Sequence, residues 1–310
     1  MTHLLHQGIE VCAVGVAGVE LPEPLAKGRI ERRAARAGDF SCSLDEVFFG
    51  AERDVLHEGV VYTSRVRLAV EGNCSADDNS REVASCILAE GYAMQRAGLA
   101  VEFLILFVGL PLGFRYSPVR LPALPVLWVV AGYAWWQLWR DPQFDRGRLW
   151  NAGALGGHLP AILAIFVGIA LLIWLGVHWV APQLEFGFVR ERPGLWAAVM
   201  VLYPVLSVYP QGLLYRAFLM ERYAVLFPAS DAGRWGLILA SAAAFGFLHI
   251  IFRNGLAVGF TFLGGILFAW RYAETGSLAT SSLEHALYGC WLFTVGLGQY
   301  FYHGAVPKVK

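Results

Sequence analysis

At 310 residues, with 57% hydrophobic and 14% aromatic content and a mean hydropathy of +0.51, the chain is too apolar for an ordinary soluble protein. Its formal net charge of zero sums two unlike segments. Residues 1–93 hold 9 Lys/Arg against 15 Asp/Glu, a net of −6; residues 94–310 hold 15 against 9, a net of +6, together with all 11 tryptophans. No P-loop, GxGxxG or nucleic-acid motif and no internal repeat stands in either segment, so nucleic acid is not an expected partner.

Residues 1–93 carry no core pattern strong enough to define a domain. Ile9–Leu21 is mildly apolar, but Glu10 and Glu20 interrupt it and no Lys or Arg precedes it, which makes a poor signal peptide. Lys27–Arg36 is a basic run, Val60–Val70 alternates in part and suggests a strand, and Asn73–Arg81 is a polar loop. Cys12, Cys42, Cys74 and Cys86 show no CxxC spacing and no disulfide framework; Cys290 sits in an apolar helix. Composition changes abruptly at Met94. The expectation is a poorly structured N-terminal extension over 1–93, or an upstream start with the natural one at Met94; the two remain open.

From Met94 onward, apolar runs recur at membrane-spanning length, roughly 17 to 25 residues. They lie near 97–114 (with Glu102), 121–139, 159–181, 195–219, 235–252, 255–273 and 278–302. Trp128, Trp135, Trp136 and Trp139 fit an interfacial belt. Residues 183–193 form a short amphipathic stretch, read as lying at the interface. Basic residues divide almost evenly between the two sides, so they do not set an orientation. The predicted fold is all-α: a polytopic transmembrane bundle of about seven helices over 94–310, in an integral, multi-pass membrane protein whose partner is the lipid bilayer.

Three of these helices carry groups that are costly in hydrocarbon. The first holds Gln211-Gly212-Leu-Leu-Tyr215-Arg216, the second Phe245-Gly-Phe-Leu-His249, the third Glu284-His285-Ala-Leu-Tyr-Gly289. Residues three or four apart share a helix face, so Gln211 aligns with Tyr215, Phe245 with His249, and His285 with Gly289. Taken singly, each has a plain reading: Arg216 as a snorkelling cation, His249 and His285 as satisfied buried histidines, Gln211 as an interhelical hydrogen bond, Tyr215 and Phe245 as packing. Only the joint pattern points further.

In this order, and with the linker Gly264–Leu278, the three patches resemble the CAAX-protease and bacteriocin-processing (CPBP, or Abi) family of intramembrane proteases, over roughly residues 95–303. That family carries EExxxR, FxxxH and HxxxN on separate membrane helices. The resemblance implies a membrane-embedded endopeptidase acting on a membrane-associated peptide, with the bacterial inner membrane as the expected location. It implies catalytic roles for Gln211, Arg216, His249 and His285, with Tyr215, Phe245 and Glu284 toward the substrate. His249 would position water, His285 would donate to the oxyanion, and Arg216 would orient its helix end.

The departures are specific. Gln211 and Gly212 stand where the family has two glutamates, and Gly289 where it has asparagine. Glutamine cannot take a proton near neutral pH, and losing one oxyanion donor costs about a hundred- to a thousandfold in rate. A catalytically inactive relative that binds a membrane peptide is therefore the alternative. Glu284 and Glu221 are the carboxylates that could substitute, although Glu284 lies about 100° round the helix from His285. No cofactor is expected; the resemblance would admit zinc, but two histidines are an incomplete ligand set.

Overall fold

The computed structural model describes residues 47–52, 65–70, 91, 93–119 and 122–301. Within the N-terminal segment, β1 (Val47–Glu52) pairs antiparallel with β2 (Arg65–Val70), Val47 opposite Val70 and Glu52 opposite Arg65. The strand expected over 60–70 is realised in its second half. The basic run, the 73–81 loop and the four N-terminal cysteines lie outside the described residues.

The remainder is helical: α1 (Ala93–Tyr116), α2 (Ala123–Arg140), α3 (Gly153–Val180), the short α4 (Gly187–Glu191), α5 (Pro193–Arg222), α6 (Asp231–Leu248), α7 (Gly255–Thr275) and α8 (Leu278–Val295). Five segments are long and apolar enough to cross a membrane: Ala93–Tyr116, Arg146–Val180, Pro193–Arg222, Asp231–Phe252 and Gly255–Thr275. Helices also form at the other two expected positions, α2 and α8, but these are not among the five. Aromatic and polar side chains lower their hydropathy, and α8 spends Thr280, Ser281, Glu284 and His285 on buried contacts rather than on lipid. Val129 (74% exposed), Leu172 (68%) and Val201 (71%) stand bare on the helices, as lipid-facing side chains do. The protein is an integral, multi-pass membrane protein.

Contacts divide the chain into two compact units. One takes residues up to Glu102 with 141–143 and 222–234. There Arg222 grips the Glu102 carboxylate through Nε and Nη2 at 2.8–3.0 Å, and Arg96 Nη2 donates to the Leu226 carbonyl at 3.0 Å. Glu102, conspicuous in an apolar helix, is thus neutralised.

The other unit takes 103–140, 144–221 and 235 onward. Its hub is α8, which packs against α3, α7 and successive turns of α5. The α6–α7 approach depends on small residues, as membrane helix contacts do. A Cβ on Gly265 would stand 2.9 Å from the Ala242 Cα, and one on Gly246 would stand 3.0 Å from the Phe262 Cβ.

Helix α5 is irregular for a readable reason. Pro204 and Pro210 each delete a donor from the α-helical ladder, and the backbone widens to π-type pairing over Pro204–Val208 and Leu213–Phe218. Trp128 Nε1 donates to the Leu206 carbonyl in the first of these segments at 3.0 Å. The second carries Arg216. Such widened turns are frequent at functional sites.

Candidate active site

Arg216, His249 and His285 converge on the ring of Phe245. The Arg216 guanidinium carbon lies 4.2 Å from the Phe245 centroid and 5.3 Å from that of Phe268. His249 meets Phe245 edge-on at 4.8 Å, since one helical turn separates them. His285 meets Phe245 at 5.3 Å and stacks on Phe268 at 4.7 Å. Exposures of 1%, 7% and 6% for Arg216, His249 and His285 place all three inside the protein. The structure therefore gathers on one spot the residues that sequence spacing put on three helices.

His249 has a fixed tautomer. Its Nδ1 lies 2.8 Å from the Phe245 carbonyl, which can only accept, so Nδ1 carries the proton and the Nε2 lone pair is free to act as a base. His285 turns Nε2 toward the Tyr203 hydroxyl at 3.5 Å, and its Nδ1 is buried without a hydrogen-bond partner among the described residues.

Tyr203 is the residue that sequence reasoning missed. Its ring meets His285 edge-on at 6.4 Å. A Cβ on Gly289 would overlap the Tyr203 Cε1, Cζ and hydroxyl oxygen. The phenol thus occupies the space that a side chain at 289 would fill. Gly212 is similarly hemmed: its Cβ would stand 2.8 Å from Ser282 Oγ and 3.0 Å from a Leu278 methyl. Both glycine departures are built into the packing around α8.

The other predicted residues sort differently. Gln211 turns along its own helix, Nε2 donating to Ser207 Oγ at 2.9 Å, while its Oε1 is buried without a hydrogen-bond partner among the described residues. Tyr215 packs between Phe107 and Phe245 at 5.3 and 5.5 Å, and its backbone carbonyl accepts from Ser241 Oγ at 2.6 Å. Glu284 is fully buried but belongs elsewhere. Arg271 holds it at 2.9 and 3.3 Å, in line with its rotation away from His285. Glu221 is held by Arg148 at 3.1 Å. Neither carboxylate considered as a substitute for the missing glutamates reaches the histidines.

Among the described residues Arg216 has no anionic partner. Its Nε, Nη1 and Nη2 are all buried and have no hydrogen-bond partner among the described residues. Burying an ion costs several kcal/mol, and an aromatic face returns only about 2 kcal/mol even when desolvated. As for metals, no group of three His, Cys, Asp or Glu side chains gathers among the described residues. His249 and His285 are two of the three protein ligands that a catalytic zinc takes. An apolar groove of about 340 Å³ runs along α8, bounded by Phe166, Leu283, Leu287 and Trp291 and reaching Pro204 and Ala286, the chain neighbours of Tyr203 and His285.

The segment that carries these residues has a counterpart among known families. Residues 193–291 match the family model described as "Type II CAAX prenyl endopeptidase Rce1-like". This segment resembles that family. It runs from the start of α5 almost to the end of α8 and so contains Gln211, Arg216, His249, His285 and Gly289. No curated protein and no solved structure matches the chain. The Rce1-like match supports a membrane CAAX-type endopeptidase as the broad class, and the CPBP resemblance drawn from three short motifs agrees with it.

Proposed function

We propose that this protein is a membrane-embedded, Rce1-like receptor that holds a membrane-associated peptide at the Arg216–His249–His285 site and leaves its backbone uncut. One observation carries this: among the described residues no carboxylate joins the site, and Glu221 and Glu284 are held by Arg148 and Arg271. Hydrolysis at such a site draws on an acid–base group placed against the attacking water, and Gln211 supplies none. What remains is a buried cation, two neutral-capable imidazoles and flat aromatic walls, a set suited to gripping a peptide backbone.

The test is binding of a fluorescent, lipid-modified peptide to the full chain in nanodiscs. His285→Ala and Phe245→Leu are expected to weaken binding at least tenfold; binding unchanged in both variants contradicts the proposal.

A second reading rests on the His249 tautomer. With Nε2 unprotonated, His249 can act as the base alone, while the Tyr203 hydroxyl and His285 donate to the oxyanion. On that reading the protein is a slow membrane endopeptidase, and its mark is a cut that His249→Ala abolishes.

A further inference from the structure

We infer that Arg216 is the receptor for a carboxylate brought by the bound peptide, since Gln211 and Gly212 on its own helix offer none. The inference rests on the peptide-binding proposal and names the group recognised. Three observations carry it. The guanidinium is 1% exposed, and all three of its nitrogens are without a hydrogen-bond partner among the described residues. Glu102, Glu221 and Glu284 are each engaged by another arginine, Arg222, Arg148 and Arg271. The rings of Phe245 and Phe268 lie against the guanidinium, and neither ring offers an oxygen to its N–H groups.

Those donors lie in the guanidinium plane, and their fork matches the two oxygens of a carboxylate. A buried guanidinium with free donors is an unfinished pair; a peptide carboxylate completes it and is recognised by doing so. Two parts of a peptide offer this chemistry, the C-terminal carboxylate and an acidic side chain.

The experiment has two readouts on the full chain in nanodiscs. The first is thermal unfolding in sodium acetate against sodium chloride at equal ionic strength. Acetate is expected to raise Tm saturably in the wild type and to have no specific effect in Arg216→Gln or in Arg216→Met, which keeps the side-chain bulk. A chloride effect equal to that of acetate overturns the inference, as does an acetate effect that persists in both variants.

The second readout is peptide affinity. Peptides compared are a free C-terminus, its C-terminal amide, and an amide carrying one internal Asp or its Asn counterpart. Loss of at least tenfold on amidation assigns the C-terminal carboxylate; loss only on Asp→Asn assigns the side chain. Either loss must vanish in Arg216→Gln. If all four peptides bind alike and Arg216→Gln binds them as well as the wild type, the carboxylate inference fails while peptide binding stands. If no peptide binds but acetate acts through Arg216, the anion site stands and the peptide proposal fails.

Discussion

The Tyr203 ring fills the volume that a side chain on Gly289 would occupy, so the two residues are one steric unit across α5 and α8. The glycine is therefore not a simple deletion of the family's asparagine. Restoring asparagine there without moving the phenol overpacks the site, at a typical cost of 1 to about 3 kcal/mol. Gly289→Asn is expected to lower the midpoint of thermal unfolding in detergent. Adding Tyr203→Ala is expected to recover most of the loss, giving a favourable coupling in the double-mutant cycle. Additive losses would separate the two residues.

The Arg271–Glu284 pair is buried on both sides, 2% and 0% exposed. Removing one partner strands a charge, at a cost of about 3 to 5 kcal/mol. Glu284→Gln should therefore reduce stability far more than it reduces peptide affinity. The combined Arg271→Met and Glu284→Leu substitutions should return most of the stability. Unfolding midpoints and peptide titrations on the same preparations check this; a variant that keeps full stability but loses the peptide would move Glu284 into the binding site.

Gly265 lets α6 and α7 meet at backbone distance. Gly265→Leu drives a side chain into the Ala242 backbone, and the expected result is a loss of stability exceeding that of Gly259→Leu, where a Cβ meets nothing within 4 Å. Unfolding in a denaturing detergent series compares the two. Equal effects would remove the close approach as a source of stability.

Glu185, in the short loop after α3, is held below its ordinary value of 4.5 by the hydrogen bond from His178 and then by that from Trp174. The sign follows: a carboxylate whose folded-state pKa is depressed favours the native loop above its unfolded pKa, and that contribution fades as pH falls through the lower folded value. Acid titration followed by tryptophan fluorescence is expected to show a transition below pH 4.5 that Glu185→Gln removes. The same transition in Glu185→Gln would assign it elsewhere.

Much of the site was legible because its spacing is local. Phe245 and His249 are one turn apart, His285 and Gly289 likewise, and membrane helices with polar patches have little choice but to turn them toward one another. What escaped notice depended on contacts between distant helices. Tyr203 lies outside all three motifs, and nothing in its sequence neighbourhood tells that its ring reaches α8. Glu284 beside His285, and Glu221 five residues beyond Arg216, both looked available; helix rotation turns Glu284 away from His285, and Arg148 and Arg271 claim the two carboxylates. The isolation of Arg216 could be known only after those pairs were seen. The runs at α2 and α8 are helices, as expected; their polar and aromatic content sets them apart from the five that qualify by length and apolarity.

The most direct measurement is the intact mass of a lipid-modified peptide recovered after prolonged incubation with the full chain in nanodiscs, beside the His249→Ala variant. Binding without a catalytic carboxylate predicts that the peptide returns uncut from both, having been retained by the wild type. A fragment produced by the wild type and absent with His249→Ala would contradict this and make the protein an endopeptidase with histidine as its base.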